Sequence, residues 1–277
     1  MFAAKSHYTN RLFFILGAVF IVSAGAAHAH GLDHSSHDRG ERLHFSHPLI
    51  TESPSPDTKV RLDYFFRDID EPGEEGQDST IRLEVEYAFT REFSVELNIP
   101  YVFTHPDGGP SENDLDNIEI GLKFANFAFE DKGLLLGYGI EFSLPTGDGP
   151  KGIGSYHEFE FEPFFNVGYK LNDLEIVSFV SFGIPINQNG EEVETELGYN
   201  LSLLYPVNPR FAALLELDLE TVLSGDKDGT TVVNLTPGVK VSPFSDKAMA
   251  FGVGVSFPIS DTEEFNTQVV ASVFYHF

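Results

Sequence analysis

The chain has 277 residues and carries 43 Asp and Glu against 17 Lys and Arg, a formal net charge of -26. Nucleic acids and anionic membrane surfaces are poor partners for such a chain, because both bind clustered Lys and Arg. The chain contains no Cys, which excludes a disulfide framework, a thiolate metal site and a cysteine nucleophile. Its 27 Phe, 10 Tyr and 25 Gly favour strands and turns.

The first residues have the pattern of a cleaved secretory signal. Two basic residues precede the apolar run 12–27, and Ala27 and Ala29 then occupy the small positions of a signal-peptidase site. We predict that residues 1–29 are removed and that the mature chain begins at His30. A retained membrane anchor is the alternative, although the run is shorter than the roughly 18 to 20 residues of a spanning helix.

Residues 30–57 are predicted to form a disordered, His-rich periplasmic tail, because no strand pattern begins before the Pro-rich "SPSPDT". Imidazole together with carboxylate is a ligand set for zinc, copper or nickel. The spacings match no ordered site, so incidental His in a polar tail and weak metal binding both stay open. No other cofactor is predicted. The candidate ligands are His30, His34, His37, His44 and His47.

From about Thr58 the chain divides into segments of roughly 10 to 14 residues whose side chains alternate in character, as in strands. In "TIRLEVEYAF", Ile81, Leu83 and Val85 alternate with charged residues. The segment that follows Asp173 is apolar on both faces, so its register is left open. We predict twelve strands, beginning near Thr58, Thr80, Glu92, Asn117, Gly133, Tyr156, Asp173, Val193, Pro209, Thr230, Ala248 and Phe265.

The connections between these segments alternate in length. Short ones such as "TR", "LND" and "PVNP" are rich in turn residues, and they take turns with longer acidic or Gly-rich ones such as "HPDGGPSENDLD" and "TGDGPKGIGS". An even number of antiparallel strands with small turns at one end and large loops at the other is typical of a bacterial outer-membrane barrel. The longer loops lack the twelve-residue register of a calcium hand and are interpreted as loops.

The acidic faces decide which side of the sheet meets water. A soluble sandwich or lipocalin-like barrel shows the same alternation with its apolar side inward, and it is the alternative. Twelve strands are more than small side-chain-filled barrels use, so a lumen lined with carboxylates is the better interpretation. We therefore predict an all-β fold, in which residues 58–277 form one twelve-stranded antiparallel transmembrane (outer-membrane) β-barrel that contacts outer-membrane lipid.

Aromatic residues support a membrane boundary at the short-turn end, where an interfacial girdle is expected. The chain ends on a strand with aromatic Tyr275 and a final Phe277, which looks like the insertion signal that the barrel-assembly machinery reads. The expected girdle consists of Tyr87, Phe89, Phe93, Tyr169, Tyr205, Phe211, Tyr275 and Phe277.

Several stretches, among them "YAFTREFSVELNIPYVF", "IEIGLKFA" and "EFSLPTGDGPKGIGSYHEFEFEPFFNVGYKL", resemble a family of predicted outer-membrane transporters that is labelled putative MetA-pathway of phenol degradation. The likeness extends from Leu62 to Phe277, and "LPTGD" at 144–148 is its best local match. The resemblance implies passage of small molecules, aromatic ones among them, across the outer membrane.

The predicted function is that of a channel or facilitator for small solutes. Twelve strands enclose a narrow lumen, and an excess of negative charge there favours cations. Bracing of the wall is the alternative role for these charges. The predicted lumen-lining residues are Arg82, Glu84, Glu86, Glu96, Glu119, Lys123, Glu141, Glu158, Glu160, Glu162, Glu194, Glu196, Glu216, Asp218, Glu220 and Lys240.

A binding protein and an enzyme are the alternatives to a channel. A non-conducting outer-membrane protein could bind metal or a partner through its His-rich tail or acidic loops. An enzyme is not predicted, because His105 and His157, with Ser155 nearby, come without a nucleophile motif such as G-x-S-x-G.

Overall fold

The computed structural model describes residues 43–70, 75–187, 194–225, 227–244 and 248–277. The regular elements of the described residues are strands and two three-residue 3-10 turns, Glu130–Lys132 and Gly149–Lys151. In these ranges no helix has the length and apolar character needed to cross a membrane. The strands are β1 (Lys59–Ile69), β2 (Gly76–Thr90), β3 (Phe93–Pro106), β4 (Glu112–Leu115), β5 (Ile118–Asn126), β6 (Leu134–Leu144), β7 (Glu158–Leu171), β8 (Leu174–Asn187), β9 (Glu196–Asn208), β10 (Phe211–Val222), β11 (Thr231–Val241), β12 (Met249–Pro258) and β13 (Thr267–His276).

Twelve of these strands form a closed antiparallel barrel. Each pairs with the barrel strands before and after it along the chain. The four-residue β4 pairs only with residues 101–104 of β3, and the earlier part of β3 pairs directly with β5. The barrel closes where β1 pairs with β13, from Lys59 opposite His276 to Asp68 opposite Thr267. The prediction of a twelve-stranded antiparallel barrel is confirmed.

The strand boundaries lie close to the predicted ones. The largest difference is at β2, which begins at Gly76 rather than near Thr80. Its first residues are polar, but their backbones continue to pair with β1, for example Gln77 with Asp68. The alternating apolar residues that identify a strand in the sequence end before the backbone pairing does. The strand is therefore longer than its sequence pattern.

The outward face carries a belt of aromatic rings near the short-turn end. The belt runs over four neighbouring strands, β2, β3, β5 and β6. The ring centroids of Tyr87, Phe89, Phe93, Phe124 and Tyr138 follow one another at 4.9, 5.6, 4.7 and 5.6 Å. Tyr87, Phe89, Phe124 and Tyr138 are exposed on the outside of the barrel. Rings in this position form the interfacial girdle of a membrane barrel.

The structure sets the register of β8, which the sequence left open. Phe182 and Ile186 are exposed, whereas Val177 is buried in an apolar cluster with Phe45. Ser181 is also buried. The inner face of β8 carries the apolar Val177 between the polar Glu175 and Ser181, and Val177 packs against another part of the chain.

That inner part is the segment 43–57, here called the plug, which lies inside the barrel. Phe45, Leu49, Thr51 and Ser53 are at most 1% exposed. Over 43–57 the structure therefore differs from the predicted disordered tail: the segment is packed and hydrogen-bonded. The predicted signal peptide and the rest of the predicted tail lie outside the described residues.

Candidate functional site: the plugged lumen

The plug has no secondary structure, so its buried backbone groups need partners from the barrel wall. Glu216 of β10 supplies the main one. Its carboxylate accepts the N–H groups of Leu49 at 2.8 Å, Ile50 at 3.1 Å and Thr51 at 2.8 Å, and the side chain is fully buried. A fixed negative charge facing three successive amides is a strong anchor, because hydrogen bonds to ionised groups are about twice as strong as neutral ones.

Other wall residues bond the remainder of the plug backbone. The N–H of Leu43 donates to Glu130 and that of Ser46 to Glu175, each at 2.8 Å. The carbonyl of Leu49 accepts from Arg61 of β1, and the carbonyl of His47 accepts from Lys240 of β11. Three plug residues are Pro, which have no N–H to satisfy. An irregular segment can therefore be buried without a large polar penalty.

Two apolar side chains fix the plug against opposite parts of the wall. Leu49 packs with Leu204, Leu214, Ala250, Val270 and Phe274, whereas Phe45 packs with Ala125, Leu135 and Val177. The wall carries glycines at both contacts: a Cβ on Gly168 would lie 2.7 Å from the Phe45 ring, and one on Gly252 would collide with Leu49. These glycines leave recesses in the wall that accommodate Phe45 and Leu49.

We expect Gly168→Ala to weaken docking of the plug, because the added methyl overlaps the rigid Phe45 ring. Overpacking of this kind costs about 1 to 3 kcal/mol. Amide hydrogen exchange of residues 43–57 should quicken about 5- to 150-fold, while exchange in the strands stays slow. Gly121→Ala is the matched control, because its new methyl would meet Glu96 at an ordinary 3.4 Å. Equal exchange in the two variants would contradict the packing role of Gly168.

A buried charge network surrounds the plug at the short-turn end. The ammonium of Lys59 contacts Glu84 at 2.5 Å and also pairs with Glu86. Lys123 contacts Glu86 at 3.1 Å and pairs with Glu52 of the plug. Lys59, Glu84, Glu86 and Lys123 are at most 2% exposed. Removing one partner from such a network leaves an uncompensated buried charge, which costs about 3 to 5 kcal/mol.

A second group of charges lies beside this network. Arg82 donates to Asp63 at 2.9 Å, and Arg61 donates to the other Asp63 oxygen at 2.7 Å. Ser272 donates to the same carboxylate at 2.5 Å. Because Asp63 is fully buried, these donors fix β1, β2 and β13 around the closure of the barrel.

Further toward the long loops, acids face acids. Glu141 of β6 lies opposite Glu162 of β7, and Glu158 and Glu160 follow on the same face. The carboxylates of Glu196 and Glu162 lie close enough for their charges to repel, and so do those of Glu220 and Glu196. Asp218, the next inward residue after Glu216, lies 3.5 Å from the amide of Asn234. This part of the lumen has an excess of carboxylate.

Of the remaining predicted lumen residues, Glu96 and Glu119 lie inside the barrel and Glu194 does not. Glu96 belongs to the network around the plug, 3.6 Å from Lys123. Glu119 lies next to Asn98 on the neighbouring strand, within electrostatic range of Glu162. Glu194 differs from the prediction, because it precedes β9 in a loop and accepts the N–H of Lys227 at 3.2 Å.

Sequence reasoning missed the plug and part of the wall around it, although it assigned the plug partners Glu216, Lys240 and Lys123 to the lumen. Lys59, Arg61 and Asp63 alternate at the start of β1 and could have been assigned to the lumen by their spacing. Glu175 could not, because the next two residues on its face, Val177 and Phe179, are apolar. The signal that could have identified the plug is the apolar pair Leu49 and Ile50 in a segment otherwise interpreted as a polar tail.

Two of the five predicted metal ligands lie in the described part of the chain. His44 and His47 come together with Asp57 at the short-turn end. The predicted ligands His30, His34 and His37 lie outside the described residues.

Ser155 and His157 stabilise the local structure at the start of β7. The hydroxyl of Ser155 accepts the N–H groups of His157 at 3.1 Å and Glu158 at 3.0 Å, which orders the start of β7. The ring of His157 lies against Tyr156.

The C-terminal residues lie at the closure of the barrel. Tyr275 is exposed on the outer face, and its ring contacts that of Phe277 at 4.9 Å. The N–H of Phe277 donates to Thr58 at 3.0 Å, which extends the pairing of β13 with β1.

Comparison with known proteins defines the class through the fold. The barrel resembles a solved outer-membrane channel from Pseudomonas putida F1, with a TM-score of 0.62 and 11% identity over 87% of this chain and 99% of that one. The NanC porin matches with a TM-score of 0.54 and 8% identity over 79% of this chain and 98% of that chain. The KdgM porin matches with a TM-score of 0.51 and 13% identity over 79% and 99%. The chain thus has the fold of an outer-membrane β-barrel.

No family model and no curated protein matches the sequence. The resemblance to the family labelled for phenol degradation is therefore not confirmed. At these low identities, the solved structures establish the fold alone.

Proposed function

We propose that this protein is an outer-membrane channel for small solutes, with a lumen that favours cations and that its own plug closes. The observation that carries the proposal is the division of charge inside the barrel. Basic side chains gather around the plug, whereas the zone toward the long loops is lined with Glu141, Glu160, Glu162, Glu196 and Glu220.

The acidic zone supports cation preference. Confined carboxylates repel anions and concentrate cations in narrow paths. The two roles that the sequence left open for the charged residues then belong to different zones: the ion-paired residues around the plug brace the wall, and the acids facing one another form the path.

The plug supports a closed resting state. It contacts β5 through Glu52 and β11 through the carbonyl of His47, on opposite sides of the twelve-strand ring. A segment that crosses the lumen in this way has to move for a solute to pass.

The solute of one solved porin helps to define the class of solute proposed for this chain. The KdgM porin has been solved in complex with oligogalacturonate, a polyanion. An acidic lumen is unsuited to a polyanion, so we propose small cationic or neutral solutes for this chain.

Recording of refolded protein in planar bilayers tests the proposal. We expect the chain from His30 onward to be mostly closed, and deletion of residues 43–56 to give stable, cation-selective openings. Deletion of residues 30–42 is the matched control, because it shortens the same region and leaves the plug in place. A plug-free barrel that keeps its heat-modifiable mobility on gels but does not conduct would contradict the channel proposal.

That negative result would favour the alternative, a non-conducting outer-membrane protein that binds a metal or a partner. The observation in its favour is the extent to which the plug is bonded to the wall, including the carboxylate of Glu216.

The aromatic end of the chain fits insertion by the barrel-assembly machinery. Tyr275 lies on the strand that closes the barrel and Phe277 directly follows that strand, so their recognition would coincide with the last pairing step. This role stays a prediction.

A further inference from the structure

Four side chains meet at the short-turn end, where the plug joins β1. The Asp57 Oδ2 atom lies 3.6 Å from Nε2 of His44, 3.6 Å from Nε2 of His47 and 2.6 Å from Nδ1 of His276. The other oxygen, Oδ1, accepts the N–H of Thr58 at 2.8 Å. The carboxylate is thereby held with one oxygen directed at three imidazoles.

The His47 side chain has a buried nitrogen atom without a partner, which indicates that a ligand is missing there. It is 2% exposed, and its Nε2 atom has no hydrogen-bond partner among the described residues. A buried polar atom without a partner costs about 1 to 3 kcal/mol. The Nε2 atom faces Asp57 Oδ2 at 3.6 Å, so an ion between them would supply the partner that this nitrogen lacks.

The spacing of the donor atoms suits a small tetrahedral cation. Zinc binds His nitrogen and carboxylate oxygen at about 2.0 to 2.2 Å, so its ligand atoms lie about 3.4 Å apart. The donor atoms of His44, His47 and Asp57 all lie within 4.8 Å of one another, and both imidazole-to-carboxylate distances are 3.6 Å. Small rotations of the side chains would bring the three atoms to zinc-binding distances.

We propose that His44, His47 and Asp57 bind a zinc ion at the base of the plug, and that His276 is a positioning residue that holds the Asp57 carboxylate. Three protein ligands leave the fourth position for water. The side chain of His44 is 50% exposed, which gives the metal a route from solvent. The hydrogen bond from His276 is of the kind that orients ligating carboxylates in metal sites.

The proposed site would join separate parts of the fold. His44 and His47 belong to the plug, Asp57 lies at its junction with β1, and His276 ends β13. A bound zinc would therefore fix the base of the plug to the strands that close the barrel. Zinc binding itself does not depend on whether the barrel conducts.

Calorimetry tests this site, with zinc added to chelator-treated, refolded protein from His30 onward in detergent. We expect one zinc per chain, loss of binding in His44→Ala and His47→Ala, and about 10- to 100-fold weaker binding in His276→Ala. Cobalt in place of zinc should give the visible absorption of a tetrahedral site, and this absorption should be lost in the same two ligand variants.

The control is a triple variant with His30, His34 and His37 all changed to Ala, which removes the other imidazoles of this region and should keep the site. Heat-modifiable mobility on gels checks folding of each variant, and the exposed position of His44 makes His44→Ala the least disruptive of them. The proposal is overturned if wild type binds no zinc, if the triple variant loses binding, or if folded His44→Ala binds zinc like wild type.

Discussion

Glu216→Leu should release the plug while the barrel stays folded. The substitution removes the acceptor of three N–H groups, the buried ones of Leu49 and Thr51 and the partly buried one of Ile50. At about 1 kcal/mol or more for each unsatisfied group, docking should weaken by about 3 kcal/mol or more. Amide exchange of residues 43–57, followed by mass spectrometry, should then be at least about a hundredfold faster.

The matched control is Glu220→Leu, which makes the same change four residues further along the same face of β10. This variant should leave exchange of the plug near the wild-type rate. If Glu216→Leu also left plug exchange unchanged, the three hydrogen bonds would not hold the plug. If it unfolded the barrel, Glu216→Gln, which keeps one acceptor oxygen, should give an intermediate rate.

The second large effect is expected on ion selectivity. In the barrel that lacks residues 43–56, Glu160→Lys combined with Glu162→Lys should convert a cation-preferring channel toward anion preference. Reversing two charges changes the energy of an ion about 8 Å away by about 2 kcal/mol even at the dielectric constant of water. The cation-to-anion permeability ratio should fall more than about tenfold, as measured by reversal potentials in a salt gradient at low ionic strength, where screening is weak.

Asp131→Lys combined with Asp173→Lys is the control for net charge, because both residues are exposed at the short-turn end, in or beside turns. This pair should alter the permeability ratio little. Unchanged selectivity in the Glu160 and Glu162 variant would mean that these carboxylates do not line the path.

The strand pattern could be predicted because it is local. Alternation along a strand reflects which face meets lipid and which meets polar surroundings, and turn residues mark the ends. Such signals lie within about ten residues of each other, so "TIRLEVEYAF" is sufficient to orient β2. They fail at β8, where Val177 and Phe179 interrupt the polar residues of the inner face and Val177 packs against Phe45.

The candidate site was predictable only in part. Glu216 follows the alternation of β10 and was assigned to the lumen, but its bond to Leu49 joins residues 167 positions apart. The pairing of His276 with Asp57 joins residues 219 positions apart. No spacing in the sequence reports such contacts.

The sequence by itself determined the number of barrel strands, their direction and the chemistry of their faces outside β8, because a period of two and the turn residues between strands are properties of neighbouring residues. Only the tertiary structure decided that residues 43–57 lie inside the barrel and that basic residues gather around them. It also decided that two imidazoles of the predicted tail meet the end of the last strand. The physical reason is closure: pairing β1 with β13 creates an enclosed space whose buried charges, glycine recesses and apolar patches select what fills it.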